Sequence, residues 1–138
     1  MKLEFLLLAD SAVSAKDGVF SALNCGLDYF RCGAFPARKS SLVAIARVLF
    51  DPDEMERPHD FLLELIGPGG DRLYPAIPVT VTPIPHARHS DRPNHMTVAL
   101  TVYSLSFSEA GFHAFRFSSG ERVLGESPFE VFQSEGIP

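Results

Sequence analysis

The 138 residues, 46% of them hydrophobic, suit one domain with one substantial core, spanning residues 1–138. Twelve basic residues against 17 acidic ones leave a net charge of -5, and no Lys/Arg cluster breaks that balance. Binding to a phosphate backbone is therefore disfavoured, since the stretches at residues 37–39 and 86–89 are too short to set the local field. No run approaches the roughly 18 consecutive apolar residues of a membrane-crossing helix.

Residues 2–9 form the first extended segment. Leu3, Phe5 and Leu7 share one parity, while Lys2 and Glu4 share the other with Leu6 and Leu8, so the strand becomes buried on both sides. Glu4 and Asp10 bracket its apolar run too tightly for an export signal, which needs about 7–15 uninterrupted apolar residues after a positive start. A cytoplasmic protein is expected. A turn at residues 16–18 leads to a strand over 19–23, which could pair with the first. Gly26 then marks a bulge or bend before residues 27–32.

The element ends at Gly33-Ala34-Phe35-Pro36, and residues 42–50 are nearly continuous in apolar character, broken only by Arg47, as in a central strand. A polar connection over 51–58 precedes residues 59–66, where Phe61, Leu63 and Leu65 alternate around Glu64. Gly67-Pro68-Gly69-Gly70-Asp71 reverses that strand into residues 72–82. In the returning strand Leu73, Ile77, Val79 and Val81 share a face, and Pro75 and Pro78 each remove a ladder donor, which places it at a sheet edge.

Residues 83–94 read as loop and 96–107 as the longest strand. In that strand Val98, Leu100 and Val102 occupy one parity and Leu105 and Phe107 the other, so a one-residue bulge at Tyr103-Ser104 is expected. The last quarter, residues 109–132, is a hairpin: His113, Phe115 and Phe117 point inward, Ser119-Gly120 turns, and Phe129 and Val131 resume the alternation. About seven to nine strands with closely spaced turns make the fold all-β, an antiparallel β-sandwich of immunoglobulin-like or related Greek-key topology.

Chemistry-bearing residues are sparse. His86, His89 and His95 fall in one proline-rich segment, and His86-x-x-His89 could present two imidazoles to a metal, with Asp91 or His95 as a third ligand. Such spacing in a loop lacks rigid placement, so solvated loop histidines are the expected reading. Asp51, Asp53, Glu54 and Glu56 lack the sharp-turn glycine and the terminal bidentate Glu of a calcium loop. No Gly-x-Ser-x-Gly elbow occurs, and the glycine-rich 67–70 stretch is not followed by the Lys-Ser/Thr pair of a phosphate cradle. Cys25 and Cys32, seven positions apart, fit neither a redox pair nor a zinc knuckle and are expected as free thiols.

His113 stands apart. Glu109-Ala-Gly111-Phe-His113-Ala-Phe115 resembles the Asp-x-Gly-x-Tyr-x-Cys corner of immunoglobulin-like sandwiches, with His for Tyr and Phe for Cys. A polar ring at that corner bonds a nearby backbone carbonyl, which gives it a structural role.

Taken in order, Leu3-Glu-Phe-Leu-Leu-Leu-Ala-Asp10, Asp17-Gly18, Asn24-Cys-Gly26, Phe35-Pro36 and the closing Gly111…Phe115…Ser119-Gly120…Pro128-Phe-Glu-Val131 resemble a family of small bacterial proteins known only as a domain of unknown function. The resemblance covers nearly the whole chain. It implies a compact β-sandwich in bacteria and brings no activity, cofactor or catalytic residues with it.

No catalytic, cofactor-binding or metal residue is therefore assigned, and the expected function is a non-enzymatic interaction or structural module. Leu6, Leu8, Val43, Ile45 and Leu49 exceed what one core face needs, which suggests a protein partner or self-association through a sheet face. The alternative is a small-molecule or metal-binding protein using the His86 to His95 loop. Carbohydrate binding would require an exposed coplanar pair among Tyr29, Tyr74 and Tyr103, in a chain without Trp.

Overall fold

The computed structural model describes residues 1–14, 19–85 and 94–134. Among these residues ten strands follow one another: β1 (Lys2–Ala9), β2 (Ser11–Ser14), β3 (Phe20–Leu23), β4 (Tyr29–Cys32), β5 (Ala37–Phe50), β6 (His59–Ile66), β7 (Ile77–Val81), β8 (Asn94–Phe107), β9 (Gly111–Ser119) and β10 (Arg122–Gln133), with one 3-10 turn at Pro52–Glu54. They form a three-stranded sheet β1-β5-β8, a five-stranded sheet β4-β10-β9-β6-β7 and a two-stranded hairpin β2-β3. The strand not anticipated from the sequence is the short β2.

The core lies between the two larger sheets. From one side come Leu6, Leu8, Leu42, Ala44, Ala46, Val48 and Phe50; from the other come Phe61, Leu63, Leu65, Phe115, Phe117, Phe129 and Val131. Alternation puts the even residues of β5 from Leu42 onward, the odd residues of β6 and β9, and Phe129 and Val131 of β10 into this space. Each fully buried Phe or Leu contributes roughly 1.5–3 kcal/mol through removal from water. The sheets approach closely where β1 meets β10: a Cβ at Gly125 would lie 2.6 Å from a Leu3 methyl, so a larger residue there would have to push the Leu3 side chain aside.

The β9-β10 hairpin is as expected, with Gly120 at φ 59 in its turn, and β5 is central, flanked by β1 and β8. The turn at residues 67–71 closes through Gly67 N–H to Asp71 O (2.8 Å), and β7 is the expected edge strand, with Pro78 inside it and Pro75 ahead of its first residue. Gly26, at φ 88, makes the expected bend and donates its N–H to Leu8 O at 2.8 Å.

Several sequence expectations are corrected. The segment at residues 19–23 does not pair with β1: β3 pairs with β2 and β1 pairs with β5, because the chain leaves the sheet at Asp10 and folds back over it. The face assignment of β1 changes partway. A register shift between Leu3 and Phe5 puts Leu3, Leu6 and Leu8 on the core side and Phe5 on the outer side. The contact of β4 with β10 is parallel, the one departure from antiparallel pairing among the described strands.

The parity slip in β8 is present, but without an extra residue. Ser41 pairs with Tyr103 and Lys39 with Leu105, so the ladder skips the Ser40/Ser104 position and resumes in the same register. Ser104 adopts φ 56, and both strands change face together: Leu42 and Val102 are buried on one side of the slip, Ala37, Leu105 and Phe107 on the other. A matched slip in the neighbouring strand restores the apolar set to the core as a bulge would.

The outer face of the three-stranded sheet has its own cover. Ala12, Phe20 and Ala22 of the β2-β3 hairpin pack on Ala9, Val43 and Ile45, with Phe5 and Ala99 alongside. Leu6 and Leu8 belong to the main core, so of the five residues read as a surplus apolar face only Leu49 is left half-buried. The surplus is real, but the chain covers it with its own hairpin. Self-association through this face therefore loses its motive.

Asp10 fastens the hairpin. It accepts from Asn24 Nδ2 at 2.7 Å and from Lys39 Nζ at 3.0 Å. These bonds, Asn24 first and then Lys39, hold its carboxyl below the ordinary 3.8 against a burial penalty. A carboxyl lowered on folding stabilises the native state above its unfolded value and loses that contribution as pH falls through its folded value. Asp10→Asn is thus expected to be less stable than the parent at neutral pH, with the difference shrinking as pH drops below 3.8. Urea titrations across acid pH measure this; a gap that widens toward acid would contradict it.

Candidate interaction surfaces

His86 and His89 lie outside the described residues, as does Asp91. His95 lies on β8, opposite Leu49 of β5. Its Nδ1 is 3.0 Å from Glu4 Oε2, and Arg47 Nε approaches the same oxygen at 3.2 Å. Alternation places Arg47 and His95, with Phe5, on the outer face of the three-stranded sheet, where the first two side chains converge on Glu4 beside the hairpin.

Other ionisable groups are similarly occupied. Asp51, Asp53 and Glu54 bring carboxylate oxygens within 4.8 Å of one another, the one such group among the described residues. The amine of Met1 sits 2.6 Å from Glu54 and 3.7 Å from Asp51. Burial pushes the Glu54 carboxyl up, but bonds from this amine and from Asp51 N–H outweigh it and hold the group below the ordinary 4.5. Glu64 pairs with Arg72 and Arg116 with Glu126, each at 2.7 Å. Glu64 lies opposite Arg116 in the β6–β9 ladder and Arg116 opposite Glu126 in the β9–β10 ladder, so the two pairs abut in one charged row on the outer face of the five-stranded sheet.

His113 is buried to 2% exposure between aromatic rings, stacked on Phe129 (5.6 Å, 18°) and edge-on to Phe107 (5.1 Å, 81°). Its Nδ1–H donates to Gly111 O at 3.0 Å, the backbone carbonyl bond expected at this corner. A carbonyl can only accept, so Nδ1 carries a proton. Nε2 has no hydrogen-bond partner. The residue packs the core.

Cys25 and Cys32 are free thiols, the second donating to Phe132 O at 3.4 Å. Tyr74 donates its hydroxyl to Tyr103 O at 2.9 Å, and Tyr29 has a phenylalanine as its ring neighbour, so the coplanar tyrosine pair that carbohydrate binding called for is not formed among the described residues.

The outer face of the five-stranded sheet carries a different arrangement. On β4, β10 and β9 the residues facing away from the core are Tyr29 and Arg31, Pro128, Glu130 and Phe132, and Phe112. Pairing sets Glu130 opposite both Tyr29 and Phe112, so one carboxylate stands in a row between two rings. Tyr29 and Phe132 meet diagonally at 6.0 Å and 37°. Phe112 is 67% exposed and Tyr29 52%. With Asp28, Arg31 and Pro128 these residues line a shallow groove of about 460 Å³. Large aromatic residues on a face that the core does not need are a mark of recognition surfaces, where rigid rings offer contact area at low entropic cost.

A second depression, about 630 Å³, opens at the β5/β8 slip and is lined by Arg38, Lys39, Ser40, Ser104, Leu105 and Ser106. Lys39 is committed to Asp10 and lies 5.1 Å over the Phe30 ring, so its charge is spent locally.

Among the described residues, no helix is long and apolar enough to cross a membrane. A family model described as a family of unknown function, DUF6941, matches residues 4–132. Neither the curated proteins nor the solved structures yielded a match.

Proposed function

Because the chain belongs to this family of unknown function over residues 4–132, we propose from its geometry that it is a non-enzymatic protein-interaction module of the bacterial cytoplasm, an immunoglobulin-like sandwich that docks a partner polypeptide on the face of β4, β10 and β9. The observation that carries the reading is the row Tyr29–Glu130–Phe112, with Phe132 and Pro128 beside it. A carboxylate flanked by two rings suits a Lys or Arg side chain of the partner, held by charge and by cation–π attraction together. The net charge of -5 adds long-range attraction for a basic segment. In support, Glu4, Glu54, Glu64 and Glu126 each meet a cation of this chain, whereas the aromatic groove gathers exposed groups from three strands.

Panning a display library of random linear peptides against the purified protein tests this. The expected result is enrichment of peptides in which Lys or Arg is flanked by apolar residues, with binding lost in Phe112→Ser and weakened in Glu130→Gln. Both positions face solvent, so the variants fold. No enrichment, or enrichment indifferent to both changes, would overturn the reading.

A further inference from the structure

Among the described residues the three-stranded sheet ends in β8, whose one strand neighbour is β5. An open edge displays unpaired backbone donors and acceptors, and proteins blunt such edges with proline, charge, short length or a covering element. The other sheet ends here follow that rule. β7 is five residues long with Pro78 inside it, β4 has four residues, and β1 lays Leu3 against Gly125 of β10. β8 does not. Over its 14 residues, Asn94–Phe107, it contains no Pro, Gly, Lys, Arg, Asp or Glu.

Its outward backbone can be located. Tyr74 donates to Tyr103 O at 2.9 Å, so that carbonyl faces away from β5. In an antiparallel ladder the N–H and C=O of one residue point to the same side and alternate along the strand, which turns the backbone groups of Thr101, Ala99 and Thr97 outward too. The described residues show no hydrogen-bonded strand on that side. Met96, Val98 and Leu100, on the core face of the same stretch, remain only half-buried, because their sheet is two strands narrower than the one it faces.

We propose that β8 pairs edge to edge with β8 of a second copy of this chain, antiparallel about a two-fold axis, joining two three-stranded sheets into one of six strands. The occupant is argued from composition. A dyad sets each β8 residue against another residue of the same neutral stretch, Thr, Ala, Val and Leu among them, so no like charges meet although each copy carries -5. A basic partner gains nothing from an edge that has no carboxylate. The inference deepens the reading of the chain as an interaction module but uses an edge far from the aromatic groove in the strand order, so the two can fail separately.

Light scattering on a size-exclusion column, run over a dilution series, tests it. The parent should elute at twice the chain mass and dissociate on dilution. Thr101→Pro removes an outward N–H at an exposed position and should elute as a folded monomer; Thr101→Val keeps the N–H and should stay dimeric. Should the proline variant not fold, amide exchange of the parent decides, with Thr97, Ala99 and Thr101 protected at high concentration and released on dilution. A monomeric parent, a dimer indifferent to Thr101→Pro, or exchange at these amides independent of concentration would each overturn the proposal. Phe112→Ser should leave the dimer intact, and the Thr101→Pro monomer should still select library peptides, which separates the edge from the groove.

Discussion

Replacing Phe129 with alanine should cost about 3–5 kcal/mol, the range for truncating a buried aromatic whose neighbours cannot collapse into the gap. Phe129 is 1% exposed. Its ring meets Phe30 at 5.2 Å, Phe107 at 5.7 Å, His113 at 5.6 Å and Phe115 at 5.8 Å, so it joins β4, β8, β9 and β10 in one aromatic cluster across both sheets. Against a total stability of about 5–15 kcal/mol for a domain of this size, the loss would leave the protein marginal. Urea unfolding of parent and variant measures it, and a difference below about 1 kcal/mol would mean that the cluster is not packed as seen. His113→Phe is the paired control. It removes one hydrogen bond and one unpartnered ring nitrogen in exchange for an aromatic ring, so a change within about 1 kcal/mol is expected.

That cluster shows how far local pattern reaches. His113, Phe115, Phe117, Phe129 and Val131 could be placed inward from two-residue alternation alone, since a strand has only two faces. The turns were legible for the same local reason: Gly70 and Gly120, both at positive φ, relieve a steric constraint that acts over a few residues. Pro78 marked an edge strand because a missing N–H is a property of one residue.

Pairing is non-local and was not legible. Nothing in residues 2–9 says that they lie beside residues 43–49, and nothing in Tyr29–Cys32 says that it runs parallel to residues 130–133, 101 positions further on. The slip at Ser104 reads as an inserted residue when β8 is considered by itself; only the matching slip in β5 reveals that no register is lost. The aromatic groove was hidden for a related reason. Phe112, Phe132 and Tyr29 come from three strands, and in a chain with 12 phenylalanines an apolar residue at the outward parity reads as surplus core until its neighbours are known.

The surplus on β5 supplies the second large effect, which asks whether the outer face of the three-stranded sheet is an interface between chains or interior of one chain. Ile45 is fully buried and Val43 is 4% exposed, both beneath Phe20 and Ala22 of the hairpin. Ile45→Asp would place a carboxylate there with no cation to meet it. An unpaired buried charge costs about 3–5 kcal/mol or more, so the isolated chain should lose its cooperative unfolding transition. Were the face an interface between copies, the same change would disperse an oligomer into folded monomers. Circular dichroism melts with light scattering separate the two outcomes, and Val13→Asp calibrates them: that residue is on the same hairpin but 72% exposed, so its substitution should shift stability by no more than about 0.5 kcal/mol. A well-folded, monomeric Ile45→Asp protein would show that the hairpin is not a permanent cover, and that Val43 and Ile45 are available to a partner after all.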